Sequence, residues 1–174
     1  DLTRNLTTHG IDRVVFVNAH GGNKQHLTEV GRRLRADEAA FATPWMWDES
    51  IPELVNEIFE TNGPHAGPKE TAMLLHLAPE TVKPAEFENA RDGGLTDLGS
   101  SGHSRHGARV HYDTIENSKN GAFGDPTDAT AEKGERIFEA ACDELVQLGE
   151  WLADQRFADL MPREHVDSGT GTEI

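Results

Sequence analysis

The hydrophobic pattern of the first 50 residues alternates between that of a helix and that of a buried strand. Residues 2–8 predict a short helix, and the β-branched and aromatic run at 13–17 predicts a strand buried on both faces, as in a parallel sheet. A glycine turn then leads into a helix over 24–36, with Asn23 as its expected N-cap. Residues 40–47 predict a second strand, so the order of elements is that of an α/β fold.

The remainder of the chain is predicted to be mostly helical. A helix over 52–59, capped by Ser50, carries its apolar residues on one face, and a second helix over 68–78 opens with a proline. Residues 93–126 are glycine-rich and irregular, and such a segment is often functional or lies at a subunit interface. The apolar register over 130–157 predicts a long final helix.

The length of 174 residues suits one domain with its own core. We expect an α/β domain over residues 1–160 and a flexible polar tail over 161–174. No segment is apolar enough to span a membrane and no export leader opens the chain, so we expect a soluble, cytoplasmic protein. A single cysteine, Cys142, excludes an internal disulfide, and its place in the last helix predicts a buried thiol. The chain starts at Asp1 rather than at methionine, as a fragment of a longer protein would.

The charge balance excludes several classes of partner. There are 31 acidic residues against 16 basic ones, which gives a net charge of -15. Such a surface repels nucleic acid and anionic membranes, so we expect neither as a partner. The acidic residues are spread along the chain, and we interpret this as adaptation to a halophilic cytoplasm, where salt screens the mutual repulsion.

His20 is the first candidate for chemistry. It lies just past the carboxyl end of the first predicted strand, which is where open α/β sheets bind their ligands. Gly21 and Gly22 let the backbone turn sharply and let a ligand approach. A metal-binding or catalytic role is one hypothesis. A glycine turn beside a packed histidine and a phosphate-binding turn are two others, although two glycines fall short of a dinucleotide fingerprint.

Glu70 and His65 form the second candidate. Glu70 lies in the first turn of the helix that Pro68 opens, where the exposed amides and the helix dipole favour negative charge. His65 precedes the bend at Gly67, so both side chains can point into one pocket. The alternative is that Glu70 only stabilises the start of its helix.

Three segments, in this order, carry a family resemblance. Residues 17–23, Val-Asn-Ala-His-Gly-Gly-Asn, resemble the Asn-Gly-His-Gly-Gly-Asn turn of the creatininase (creatinine amidohydrolase) family. Residues 65–71, His-Ala-Gly-Pro-Lys-Glu-Thr, resemble its His-Ala-Gly-x-x-Glu-Thr signature. Residues 121–126, Gly-Ala-Phe-Gly-Asp-Pro, together with 129–134, resemble a third segment of the family. The resemblance extends from residue 1 to about residue 155.

This resemblance implies a fold, a cofactor and an activity. The fold is a three-layer α/β/α sandwich around a mostly parallel sheet, and the site is a two-metal centre of zinc or manganese, with iron as a further candidate. His20 matches a metal ligand, Glu70 a metal ligand or proton carrier, and His65 a histidine that assists proton transfer. The implied reaction is hydrolysis of a non-peptide C–N amide bond in a small-molecule substrate by metal-activated water, in a homo-oligomer that is commonly a hexamer.

One departure from the family pattern leaves the function open. The family's opening Glu-x-His-Gly-x-His-Leu-Pro segment and the aspartate after it supply most of the metal ligands, and neither occurs in this sequence. The chain is then a truncated enzyme, one half of a site that another chain completes, or an inactive remnant that serves as a fold or assembly partner. A metal-free nucleotide-binding module is a further alternative. For an active enzyme, three substrates compete: creatinine, a formamidopyrimidine nucleotide that is deformylated, and a peptide bond in a redox-cofactor precursor.

Overall fold

The elements are described from a computed structural model of the chain, which covers residues 1–61, 63, 65–94, 104–106, 108–109 and 113–163. In chain order they are α1 (Leu2–Thr7), β1 (Arg13–Asn18), α2 (Gly21–Ala36), β2 (Phe41–Met46), α3 (Trp47–Ser50), α4 (Pro52–Ile58), α5 (Pro68–Leu77), α6 (Phe87–Arg91), β3 (Ser104–Arg105), β4 (Ala108–Arg109), α7 (Thr114–Asn117), α8 (Ala131–Asp154) and α9 (Phe157–Leu160). Single 3-10 turns occur at Pro79–Thr81, Pro84–Glu86 and Pro126–Asp128.

The chain forms two compact units. The first contains Asp1–Ser50 and the chain from Leu145 onward, and the second contains Ile51–Glu144. The single domain over 1–160 stays a prediction, and most of the expected tail, from residue 164 onward, lies outside the described residues. In the described part of the chain, no helix combines the length and the apolar character that crossing a bilayer requires.

The first unit is built on the parallel pair β1 and β2, in which Val15 lies opposite Thr43. One face of the pair packs Val14 and Phe16 against Leu34 of α2. On the opposite face, Val15 and Phe41 pack against the end of α8 and against α9 through a second cluster, which contains Leu148, Leu152, Phe157, Leu160 and Met161. Helix, sheet and helix therefore form layers within this unit, and the predicted α/β class with a parallel sheet is confirmed.

Gly31 brings α2 close to the sheet. A Cβ atom added at this position would lie 2.2 Å from the carbonyl oxygen of Ala42 in β2. A side chain of any size would therefore push the helix away from the strand. The backbone of α2 rests directly on β2, and this fixes where the amino end of the helix lies.

Two expectations for this region need correction. The strand β1 is covered on both faces, but its residues 13–16 are only partly buried and Val17 is 64% exposed. The reason is that β1 has one hydrogen-bonded neighbour, β2, among the described strands. The N-cap of α2 is His20 rather than Asn23, because Gly21 and Gly22 already adopt helical conformation and Asn23 lies inside the first turn.

In the second unit, α5 packs closely against α8. A Cβ atom added at Gly134 of α8 would lie 1.9 Å from the carbonyl oxygen of Ala72 in α5, so the two backbones are in contact. The fully buried side chains of the unit include Phe59 after α4 and Ile137 on α8. Helix α5 starts with Pro68 at its first position, as predicted, with Gly67 as the N-cap.

Two smaller predictions in this region are wrong. Ser50 does not cap α4; its hydroxyl donates to the carbonyl of Trp47 at 2.8 Å in the additional turn α3, and the N-cap of α4 is Ile51. Cys142 is exposed rather than buried. Its neighbour Ala141 occupies the buried face of α8, and the next residue on a helix is rotated by about 100° away from that face.

Candidate active site

The backbone around His20 is fixed by one buried side chain, that of Asn18 at the end of β1. Asn18 is 5% exposed, and its amide nitrogen donates to the carbonyl of His20 at 2.8 Å. Its amide oxygen accepts from the His20 N–H at 3.4 Å and from the side chain of Asn23 at 3.2 Å. A buried polar group of this kind is costly unless its hydrogen bonds are made, so it selects one geometry for the turn.

The imidazole of His20 lies against Gly22 in the first turn of α2. A Cβ atom at residue 22 would come 2.9 Å from Cε1 and 3.0 Å from Nδ1 of the ring. The same construction at Gly21 meets nothing within 4 Å. A side chain at residue 22 would therefore displace the His20 ring, whereas one at residue 21 would not touch it.

Glu70 is held in place at the start of α5. Its Oε2 accepts a hydrogen bond from the backbone N–H of Ala66 at 2.9 Å, which ties the carboxylate to the loop that precedes the helix. Ala66 has a φ of 52°, in the left-handed region that is unfavourable for a residue with a Cβ atom. The Ala66–Glu70 bond helps to stabilise this conformation, which otherwise costs on the order of 1–3 kcal/mol.

His65 precedes Ala66 in the chain and contacts the loop after α7. Its ring meets the ring of Phe123 edge to face, with centroids 4.6 Å apart and an interplanar angle of 85°. Its carbonyl accepts from the N–H of Phe123 at 3.2 Å. The side chain is half-buried. The two loops are therefore joined through both the backbone and the rings.

Three glycines allow these loops to touch. A Cβ atom at Gly124 would come 2.5 Å from the Cα atom of Gly67, and one at Gly63 would come 2.4 Å from the Cα atom of Gly124. Backbone lies against backbone at both contacts. A side chain at Gly63 or Gly124 would separate the loop of His65 from the loop of Phe123, and one at Gly67 would collide with the backbone of Gly63.

Asp125 continues the second loop and anchors it. Its carboxylate accepts from the hydroxyl of Thr127 at 2.6 Å and from the N–H of Thr127 at 3.0 Å. The hydroxyl bond, followed by the backbone bond, lowers the pKa of Asp125 below the usual value of an aspartate. The residue therefore acts as a charged cap for the 3-10 turn that begins at Pro126.

The predicted site residues are distributed over both units. His65 and Glu70 both belong to the second unit, where the Glu70 carboxylate is bonded to Ala66, the residue after His65. That the two side chains share one pocket stays a prediction. His20 belongs to the first unit, and its convergence with Glu70 on one ion stays a prediction.

The described residues do not by themselves form a metal centre. Among residues 1–61, 63, 65–94, 104–106, 108–109 and 113–163, no three His, Cys, Asp or Glu side chains are grouped so that they could hold an ion. Catalytic zinc usually keeps three protein ligands and one water. His20 and Glu70 would therefore need further ligands.

Comparison with known families agrees with the three segments of the sequence. The family profile described as creatinine amidohydrolase matches residues 1–148. The chain belongs to the creatininase family.

Relatives of this family member include peptidases. The chain is 35% identical over 141 residues to a mycofactocin precursor peptide peptidase of Mycobacterium ulcerans (strain Agy99), an alignment that covers 80% of the chain and 49% of the relative. A corresponding peptidase of Mycolicibacterium smegmatis is 36% identical over 126 residues, covering 72% and 44%. The chain thus spans about half the length of the curated relatives it matches.

Solved creatininase-family structures share the fold. A Bacteroides fragilis protein assigned as a creatinine amidohydrolase superposes with a TM-score of 0.70 at 25% identity, covering 90% of this chain and 60% of that one. A Zn–Zn form of a mutant creatininase gives 0.66 at 20% identity, covering 89% and 62%, and a manganese form of creatininase gives 0.65 at 19%, also covering 89% and 62%. The three-layer α/β creatininase fold that the sequence predicted is confirmed.

Sequence reasoning missed two residues of this creatininase-family site. Asn18 and Phe123 both fall inside the segments that resemble the family, but neither was assigned a role. For Asn18 a signal existed, since a polar residue that ends an otherwise apolar strand is a candidate for a buried hydrogen-bonding group. For Phe123 there was none, because its partner His65 is distant in sequence.

Proposed function

We propose that this creatininase-family chain acts in the hydrolysis of a C–N bond in a precursor peptide, with Glu70 and His65 as the groups that handle the proton. The observation that carries the proposal is the hydrogen bond from the Ala66 N–H to the Glu70 carboxylate, which ties Glu70 to the residue next to His65 in the chain. The choice of a peptide over creatinine is supported by the 35% identity to peptidases, against 20% to solved creatininases.

The chemistry of the reaction requires a proton at the departing nitrogen. Water adds to the carbonyl carbon, the C–N bond breaks, and an amine leaves that would be a poor leaving group without a proton. In the proposal, Glu70 and His65 move a proton from the attacking water to this nitrogen. A carboxylate and an imidazole are the side chains that most often act as general acid and general base, so this pair is suited to such a relay.

A divalent ion belongs to the proposal as a cofactor, on the basis of the zinc and manganese forms of creatininase. His20 and Glu70 stay the proposed ligands, with zinc or manganese as the ion and iron as a further candidate. Two ligands are fewer than the usual three, and no group of three candidate ligands occurs among the described residues. Further ligands would therefore be needed to complete the site. When bound, such an ion activates water and polarises the carbonyl oxygen.

The test is a hydrolysis assay with the protein as its gene encodes it, supplied with zinc or manganese. The mycofactocin precursor peptide and creatinine are offered as substrates, and the products are followed by mass spectrometry. We expect cleavage of the peptide and loss of cleavage in Glu70→Gln. Glu53→Gln, which changes an acid in the first turn of α4, is the matched control and should keep full activity. Cleavage of creatinine alone would favour the small-molecule alternative.

A second candidate function is that of an inactive assembly partner. The observation that favours it is the absence of a three-ligand group among the described residues. Here we expect no bound zinc, manganese or iron after purification and none after dialysis against these ions. Light scattering under the same conditions measures whether the chain forms the homo-oligomer, commonly a hexamer, that the family resemblance implies.

A further inference from the structure

The loop that follows α7 has a specific relationship to His65. We propose that Phe123 is a positioning residue that fixes the imidazole of His65 in the orientation required for proton transfer. This inference rests on the proposed function of His65. It assigns Phe123 no contact with the substrate, and the residue acts only through the histidine.

The rings of His65 and Phe123 meet edge to face. Their centroids are 4.6 Å apart and their planes are nearly perpendicular, at 85°. This edge-to-face arrangement is the one that the charge distribution of aromatic rings favours. A half-buried imidazole with this contact has fewer rotamers available than one that faces solvent.

The backbone of Phe123 is also bonded to His65. Its N–H donates to the carbonyl of His65 itself, at 3.2 Å, so the ring contact and the hydrogen bond join the same two residues. On the next residue, Gly124 touches Gly67 with no room for a side chain. The ring of Phe123 is thus attached to a backbone that cannot shift independently of the His65 loop.

Hydrogen bonds of Ser118 and Asn120 hold the part of the loop that precedes Phe123. Ser118 is 2% exposed, and its hydroxyl lies 2.5 Å from the carbonyl of Ala122 and 3.2 Å from that of Gly93. Asn120 accepts from the N–H of Ala122 at 3.0 Å and donates to the carbonyl of Asn89 at 2.7 Å. The carbonyl and the N–H of Ala122, the residue that precedes Phe123, are thus both hydrogen-bonded. This restricts the backbone from which the phenyl ring projects.

A second His–Phe pair in the same unit provides a matched control. His76 of α5 and Phe138 of α8 have centroids 5.5 Å apart and planes tilted by 45°. Phe138 has the same half-buried environment as Phe123 and has no part in the proposed site. Replacing each phenylalanine by leucine removes a ring of similar burial and leaves an apolar side chain in its place.

The experiment compares Phe123→Leu with Phe138→Leu and Phe123→Tyr in the intact protein. Imidazole resonances of His65 are assigned by NMR through their loss in His65→Gln, and the pH profile of peptide cleavage is measured for each variant. We expect Phe123→Leu to shift the His65 resonances and to lower kcat on the order of 10–100-fold with little change in KM. Phe123→Tyr keeps a ring and should retain the wild-type His65 resonances and kcat. Phe138→Leu should change neither the His65 resonances nor kcat.

The outcomes separate the inference from the proposed function. If the wild-type protein cleaves neither substrate, the proposed function fails, and the His65 resonances alone then report whether Phe123 orients the ring. Should Phe123→Leu leave those resonances and kcat as Phe138→Leu does, the positioning role is overturned. If Phe123→Leu does not fold, the wild-type spectrum decides, because a missing nuclear Overhauser contact between the two rings also overturns the inference.

Discussion

The backbone N–H of Ala66 donates a 2.9 Å hydrogen bond to the carboxylate of Glu70, four residues along the chain. The bond closes the loop onto the first turn of α5 and supports the left-handed conformation of Ala66. The carboxylate thus ties the first turn of α5 to the residue that follows His65 in the chain. One side chain therefore has a structural role and a proposed chemical role, and the two can be separated by mutation.

Glu70→Gln and Glu70→Ala separate these roles. Gln keeps an oxygen that accepts the Ala66 N–H, so we expect a free energy of unfolding close to that of the wild type. Ala removes the acceptor and should lower the free energy of unfolding, measured with urea, by about 1 kcal/mol more than Gln does. Both variants should lose cleavage. Equal stability of the two variants would show that the Ala66–Glu70 bond contributes nothing to folding.

Gly22→Ala tests the orientation of His20. The new methyl group would come 2.9 Å from Cε1 of the imidazole, so the ring must move, while an alanine in the first turn of α2 does not weaken the helix. We expect unchanged or higher stability with turnover reduced on the order of 10-fold. Gly21→Ala, where the methyl group meets nothing within 4 Å, is the control and should keep its turnover. A similar loss in both variants would remove the argument that the ring contact matters.

Two glycines of α8 should respond in opposite directions to the same substitution. Gly134→Ala places a methyl group 1.9 Å from the carbonyl oxygen of Ala72, which forces α5 and α8 apart and should cost about 1–3 kcal/mol of stability. Gly149→Ala meets nothing within 4 Å and should stabilise the helix by up to about 1 kcal/mol. Chemical denaturation measures both. A stabilised Gly134→Ala variant would contradict the close contact of the two helices.

The pH dependence of stability should reflect Asp125. Its pKa is lowered in the folded chain, chiefly by the hydroxyl of Thr127. A lowered pKa stabilises the folded state above the unfolded pKa of about 3.9, and this contribution is lost as the pH falls through the folded pKa. Thr127→Val should therefore be less stable than the wild type at neutral pH, with the difference shrinking in acid. Thr28→Val, which removes a hydroxyl bonded to a backbone carbonyl on α2, should show a difference that does not vary with pH.

Salt should raise the thermal stability of the chain. With a net charge of -15, repulsion among the acidic residues is strongest at low ionic strength and is screened as salt is added. We expect the melting temperature to rise between low and molar salt. Replacing the exposed Glu139, Glu144 and Glu150 of α8 by glutamine removes three negative charges and should reduce that rise. A melting temperature that falls with salt would reject the halophilic interpretation.

The sequence predicted best those features that depend on neighbours in the chain. The structure confirms the proline that opens α5 and the apolar register of α8, and it places β1 and β2 within one residue of their predicted bounds, because all of these follow from local patterns. The last helix, predicted to reach residue 157, ends at Asp154. That the side chains of His65 and Glu70 share one pocket stays a prediction, although Glu70 is bonded to Ala66, the residue after His65. The N-cap of α2 could not, since two glycines can be helical or extended, and the choice depends on Asn18 reaching back from the strand.

Contacts between distant segments were beyond the sequence patterns. The ring pair of His65 and Phe123 and the packing of Gly124 on Gly67 require two loops to meet, and no periodicity encodes that meeting. The exposure of Val17 likewise depends on which strands lie beside β1, a property of the assembled sheet rather than of the strand. Burial and strand pairing depend on segments that are distant in the chain, whereas the start of a helix and the length of a strand depend mainly on neighbouring residues.

Gly31 has a practical consequence for anyone who would redesign this chain. The carbonyl of Ala42 occupies the space that any substituent at residue 31 would need, so even alanine would lift the middle of α2. Because the helix is stiff, a displacement there is transmitted to its amino end, where the imidazole of His20 is presented. A mutational library that keeps every residue near the candidate site but varies position 31 would still yield variants with reduced activity. Their sequences alone would not reveal the cause, because position 31 is not part of the candidate site.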